Sequence, residues 1–311
     1  MANKTEIWSK KIPYNRYFDF IKEDADRYSI LLECLNSLNL NSAVIPVEGN
    51  RHIFIFPPHQ KSIRATGGSF PFKGSNPFLF SAHYDRVPGS AGANDNSLAV
   101  FQLLSAAIHL KISGFEHWMI VFTDKEELKS GESFEDQGAF SLAKKLISWG
   151  LKNVKIFNFD ACGTGDAFIF STTTDSILKD KDNSNIIKIR EEIRHLRDLA
   201  ISAANSLRIN KVLFAPTLFS DDLGFLRAGL AAQTITVLPL NEANKYESLL
   251  RSRPDFSDLI ISGKIKDPSE YNQLPETWRC LNNHLDTPSR LTPQFFEQIV
   301  KFIVQLVTGS P

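Results

Sequence analysis

Six side chains in this sequence have the types and spacing for metal-assisted hydrolysis: His83, Asp85, Asp95, Glu126, Glu127 and Asp160. Zinc takes imidazole nitrogen and carboxylate oxygen, and a catalytic site leaves one position for water. His83 offers the nitrogen. Asp85, two residues on, points the same way from an extended segment and can hold the other ring N–H, fixing tautomer and orientation. A surface His-x-Asp would explain the pair equally well. Asp95 lies in Gly92-Ala93-Asn94-Asp95-Asn96-Ser97, where it reads either as a helix cap or as a carboxylate bridging two metal ions. Glu126-Glu127 sits among Lys125, Lys129, Glu132, Glu135 and Asp136, as solvated charge runs do. Adjacent glutamates after a strand can also diverge, one binding metal and the other taking a proton from water. Asp160 is the hardest to assign to the surface. It separates an apolar run from a Gly-containing turn, and a carboxylate near the sheet interior needs a partner.

The elements that must position these groups are apolar runs, each ending on one of them. Pro77–Ala82 breaks into His83-Tyr84-Asp85, Trp118–Thr123 into Asp124-Lys125-Glu126-Glu127, and Val154–Phe159 into Asp160-Ala161-Cys162-Gly163. Helical patterns over about 97–110 and 136–149 separate them, which implies right-handed crossovers and parallel pairing. Ligand sites in such sheets form at the carboxyl ends of the strands. The expected fold is a single α/β domain over 1–311, with a central, mainly parallel mixed sheet flanked by helices on both faces.

Around that core, residues 17–38 have helical spacing, and Ser42–Val47 and His52–Phe56 read as a strand pair about Glu48-Gly49-Asn50. Together these make an N-terminal helix and strand pair, within 1–60, packed on the domain. A polar connection follows at 57–75. Strands at Phe168–Ser171 and Gln233–Leu238 and a helix near Ile187–Leu207 continue the series. The last helix is capped by Thr292, with Pro293 at its first position. Residues 241–283 are polar, contain Pro254, Pro268 and Pro275, and read as an insertion near the site or a surface excursion.

Composition narrows the setting. The chain has 311 residues, 42% hydrophobic and 23% charged, and Lys plus Arg balance Asp plus Glu at 35 each. No global field points to nucleic acid or an anionic membrane. No run approaches the length of a membrane span, and the N-terminus lacks the uninterrupted apolar stretch of a signal peptide. Three widely spaced cysteines, Cys34, Cys162 and Cys280, fit a reducing compartment. The expectation is a cytoplasmic protein, its oligomeric state unspecified.

Taken in order, His83-x-Asp85, Gly92-Ala93-x-Asp95-Asn96-Ser97, Glu126-Glu127, Asp160 and a distal His resemble the M28 family of zinc exopeptidases, over about residues 75–310. That family is mostly co-catalytic aminopeptidases and also holds glutaminyl cyclases. Gly131-Glu132-Ser133 and Ser220-Asp221-Asp222-x-x-Phe225 are similar to further family segments. The resemblance implies that His83 and Asp160 hold one zinc, Glu127 and a late His the other, and Asp95 bridges them; a single ion is the alternative. Glu126 would then be the general base, Asp85 the group orienting His83, and Asp221 and Asp222 substrate-side contacts. The late His is identified with His284, because His195 falls in a charged helix. Two departures stand out. The family's His precedes an Asp-Thr pair by four residues, where this chain has Asn282 before Asp286-Thr287, and Asp222 replaces a His. The resemblance also implies a cis peptide after Asp95. The implied activity is removal of N-terminal residues from peptides. The alternatives are a one-zinc glutaminyl-cyclase-like transferase and an inactive peptide-binding homologue.

Overall fold

The computed structural model describes residues 14–60, 72, 75–263, 265 and 267–309. The first thirteen residues and most of the 57–75 connection lie outside the described residues. Eight strands, β1 (Asn41–Val47), β2 (Asn50–Phe56), β3 (Phe78–His83), β4 (Trp118–Thr123), β5 (Lys155–Phe159), β6 (Ala167–Ser171), β7 (Lys211–Ala215) and β8 (Ala232–Leu238), form one mixed sheet in the order β1-β2-β4-β3-β5-β8-β6-β7. Its centre, β4-β3-β5-β8, is parallel, while β2 joins β4, and β6 joins β8, in antiparallel register. The four central strands are covered on both faces. That is why they read as continuous apolar runs rather than alternating ones.

The segment read as one helix over 17–38 is two, α1 (Tyr14–Phe20) and α2 (Arg27–Ser37). The break falls at the polar stretch before Asp26, whose carboxylate caps α2 by accepting the Ser29 N–H. Arg27, the first residue of α2, is buried and donates to the carbonyls of Phe20, Tyr84, Asp85 and Ala91 and to the Ser97 hydroxyl. A charged side chain this deep survives because carbonyls satisfy its N–H groups. In return it clamps two loops that carry candidate ligands.

The chain continues through α3 (Leu98–Ser113), α4 (Gly138–Ser148), α5 (Thr173–Leu178), α6 (Ser184–Ser206) and α7 (Asp221–Ala228). Helices α1, α2, α3 and α6 pack on the face that presents Phe80, Phe122 and Phe157, whereas α4 covers Leu79, Val121 and Ile156. The segment 241–283 is helical: α8 (Leu240–Ser252), α9 (Asp255–Ser262), α10 (Pro268–Tyr271) and α11 (Glu276–Arg279). Its apolar residues Tyr246, Phe256, Ile260 and Trp278 form a cluster against Ala167 and Ile169 of β6.

The last helix, α12 (Phe296–Thr308), is preceded by a short 3-10 turn, Pro293–Phe295. The Thr292 hydroxyl does not cap it. It accepts the Gly165 N–H at 2.6 Å and lies 3.3 Å from the Gly163 carbonyl, so it ties the loop after β5. Phe302 of α12 meets the rings of Phe159, Phe168 and Phe170. Burying such a ring contributes about 1.5–3 kcal/mol, here at the strand end that carries Asp160.

Candidate metal centre

His83 is the last residue of β3, Asp160 follows β5 directly, and Glu126-Glu127 lies three residues beyond β4, so adjacent parallel strands deliver all of them to one sheet edge. Non-glycine residues in the left-handed region, Lys125 (φ 61°) and Ala161 (φ 51°), turn the chain beside Glu126 and Asp160. Such backbone clusters where a surrounding structure over-determines it, commonly at active sites. The Asp95–Asn96 peptide is cis, as the resemblance implies.

Two groups of potential ligands emerge among the described residues, His83 with Asp95 and Asp160, and His83 with Glu126 and Glu127. Nε2 of His83 lies 3.0 Å from Asp95 Oδ1 and 3.7 Å from Asp160 Oδ1. On the other side of the ring, Asp85 Oδ1 is 3.4 Å from Nδ1, an ion-pair contact too long for a well-formed hydrogen bond. Asp85 also accepts the N–H groups of Glu126 and Glu127, at 3.1 and 3.0 Å, which locks the β3 loop to the β4 loop.

The electrostatics are those of carboxylates gathered around one imidazole. Burial alone would push the His83 pKa down, but the adjacent carboxylates of Asp160, Asp85 and Asp95 raise it well above its ordinary value. Burial first, then the charge of Asp160, raises Asp95. Glu126 is raised well above its usual range by burial, and Glu127 to about 9 by burial and the Asp95 charge. Asp85 goes the other way: despite burial, contact with His83 and two backbone N–H donors hold it down.

These residues fit a divalent cation by a test internal to the structure. Nε2 of His83, Oδ1 of Asp160 and Oε1 of Glu127 are buried polar atoms without a hydrogen-bond partner. Buried polar groups almost always have one, and an ion is a standard explanation for a cluster that does not. A mixed nitrogen and oxygen donor set suits zinc.

His284 is not brought to this cluster. It is exposed, in a turn, and belongs to neither group. The residue that lines the cleft beside Asp95, Glu126 and Asp160 is Asn282, at the family's register four residues before Asp286. The loop therefore keeps the register and changes the residue, rather than shortening to admit His284. Asp286 is also a site residue that sequence reasoning passed over. Its carboxylate accepts the N–H groups of Asn94 and Asp95 at 2.8 and 3.0 Å.

Asp221 and Asp222 do not line the cleft either. They open α7, whose first turn is buried, and both are almost inaccessible. Asp221 accepts the Thr123 hydroxyl at 2.5 Å. Burial raises both to about 7, and the Thr234 hydroxyl only partly offsets this at Asp222. Two further groups support the cluster: Gln137, which carried no sequence signal, donates to Glu126 Oε1 at 3.2 Å, and Ser220 of the family-like segment donates to Asp160 Oδ2 at 2.6 Å. Ser220 is held in turn by Asn158, which donates to it at 2.7 Å.

Asp222 gives a pH prediction whose sign follows from proton counts. Between its ordinary 3.8 and about 7 the folded chain keeps a proton that the unfolded chain has released. Stability contributed there declines as pH rises through that window. Asp222→Asn is expected to be more stable than the parent at pH 8, by on the order of 2–4 kcal/mol and with a higher melting temperature, and to differ little near pH 4. Melting curves at the two pH values check this, and equal differences at both would contradict it.

A cavity of about 60 Å³ lies over the site, walled by Leu218, Phe219, Trp278 and Leu281. Comparison with known proteins matches its architecture. The profile of peptidase family M28 matches residues 66–287. Among solved structures, BSAP, a zinc aminopeptidase from Bacillus subtilis, superposes with a TM-score of 0.52 at 17% identity, over 83% of this chain and 49% of that one. The chain thus spans about half the length of that aminopeptidase. Porphyromonas gingivalis glutaminyl cyclase gives 0.62 at 14% identity, over 98% and 99% of the two chains. A leucine aminopeptidase precursor from Bacteroides thetaiotaomicron gives 0.61 at 14%, over 96% and 94%. At these identities the structural likenesses establish the fold. No curated protein matches the chain in sequence. The family profile spans well over half of the chain and covers every candidate ligand, and on that match the chain belongs to peptidase family M28.

Proposed function

We propose that the protein is a zinc-dependent aminopeptidase. The observation that carries this reading is the buried His83 imidazole, its Nε2 facing the Asp95 and Asp160 carboxylates, with Glu126 and Glu127 also within ligand reach of the ring. Zinc bound there supplies Lewis acidity, lowering the pKa of a water and polarising the scissile carbonyl. The chain's own residues do the rest. Glu126, steadied by Gln137, takes the proton of the attacking water and delivers it to the leaving amine. Asp85 keeps the His83 ring in the orientation that aims Nε2 at the ligand cluster. The carboxylates of Asp95, Glu126 and Asp160 line the cleft, so a substrate arriving with a free, positively charged α-amine is favoured over an internal segment of chain.

A single zinc is the reading this site supports best, because both ligand groups draw on the same imidazole, His83. With Asn282 in the cleft and His284 exposed, a second position would be carboxylate-only, a donor set that suits Mg²⁺ or Mn²⁺ better than zinc.

That single imidazole also favours a second reading, a glutaminyl-cyclase-like transferase, consistent with full-length superposition on a glutaminyl cyclase. Incubation with zinc and two peptides, one starting with leucine and one with glutamine, separates them by mass spectrometry. Free leucine is the expected product. Loss of ammonia from the glutamine peptide without amino-acid release would overturn the peptidase in favour of the cyclase, and no change in either peptide would leave a binding protein.

A further inference from the structure

We propose that Asn96 is a positioning residue that sets the spacing of the Asp95 and Asp160 carboxylates. The inference rests on the reading of those two as metal ligands. Asn96 follows Asp95 directly and is fully buried. Its side chain crosses to the loop after β5 and bonds on both sides of Asp160. Nδ2 donates to the Phe159 carbonyl at 2.8 Å, and Oδ1 accepts the Ala161 N–H at 3.3 Å. The planar amide therefore brackets one ligand while its own backbone carries the other. Asp95 Oδ1 and Asp160 Oδ1 both face His83 Nε2, at 3.0 and 3.7 Å. Two carboxylates aimed at one nitrogen repel when both are charged, and a tie between their loops keeps both in place.

Asparagine is the residue this job needs. It presents one donor and one acceptor in a fixed plane, matching a carbonyl on one side of Asp160 and an N–H on the other. An aspartate of the same shape keeps the acceptor but sets an anionic oxygen against the Phe159 carbonyl. Asn94, on the same loop and also buried, offers an internal comparison, because its Oδ1 accepts the Gly163 N–H at 2.7 Å, beyond the residues that flank Asp160. Supporting residues of this kind typically change metal affinity ~10–100-fold when lost.

The test is zinc affinity by chelator competition, with the visible absorption spectrum of the Co²⁺-loaded protein, on the full-length parent, Asn96→Ala, Asn96→Asp and Asn94→Ala. All are measured well below the melting temperature found by circular dichroism. Both Asn96 variants are expected to bind zinc ~10–100-fold more weakly and to shift the Co²⁺ bands, whereas Asn94→Ala lowers the melting temperature and keeps the parent spectrum. Should Asn96→Ala not fold, Asn96→Asp decides alone. Parent-like affinity and spectrum in the folded Asn96 variants overturn the bracket while leaving the metal site standing. A parent that binds neither ion overturns both.

Discussion

Glu126→Gln is expected to lower turnover by ~10²–10⁴ while leaving zinc bound. The substitution removes the proton acceptor and little else. Gln137 donates to Glu126 Oε1, and a glutamine at 126 still presents an oxygen there, so the side chain keeps its place. The ligand atoms of His83, Asp95 and Asp160 are untouched. In barrier terms the loss corresponds to about 3–5 kcal/mol, all of it in the chemical step, so kcat falls and KM stays close to the parent. Steady-state kinetics on the peptide that the parent cleaves best, with metal analysis of the same preparation, checks the prediction. Near-parent turnover would place the base elsewhere; lost turnover together with lost zinc would make Glu126 a ligand.

His83→Ala has the opposite signature: zinc should be lost, and activity with it. His83 is the only nitrogen donor in either ligand group, and the substitution leaves Asp95, Asp160, Glu126 and Glu127 facing one another with no imidazole between them. An all-carboxylate cluster holds zinc less well than one with a histidine, because borderline-soft zinc favours nitrogen. The expected drop in affinity exceeds the ~10–100-fold cost of losing a merely supporting residue. Chelator competition measures it, and parent-like affinity would show that zinc does not sit on His83.

Much of this site was legible in the sequence because the strands that build it are buried on both faces. Phe78–His83, Trp118–Thr123 and Lys155–Phe159 appear as apolar runs, and each ends where a polar residue first becomes tolerable. The edge strand β7 was not read, since Lys211 and the exposed Phe214 give it no core pattern. The insertion concealed its helices for a different reason. Pro254, Pro268 and Pro275 look like breaks, yet they stand at the starts of α9, α10 and α11, where proline's missing N–H costs nothing.

Side-chain roles were readable only where a strand end dictated them. The burial of Asp221 and Asp222 depends on the packing of α7 against its neighbours, which no local pattern encodes. The ties from Asn96, Ser220 and Asp286 to ligand loops span 60 or more residues of sequence, with separations of 63, 60 and 192 respectively. For the late histidine, residue type pointed to His284 and register pointed to Asn282. The fold follows register, because Asp286 is pinned to the Asn94–Asp95 backbone and fixes where the residue four positions earlier must lie.

The most direct test of the account is the zinc content of the purified chain, measured by mass spectrometry after equilibration with micromolar zinc and removal of the excess. About one zinc per chain is expected in the parent and in Glu126→Gln, and essentially none in His83→Ala. A parent that retains no zinc under these conditions would contradict the central claim that His83, Asp95 and Asp160 form a catalytic metal site.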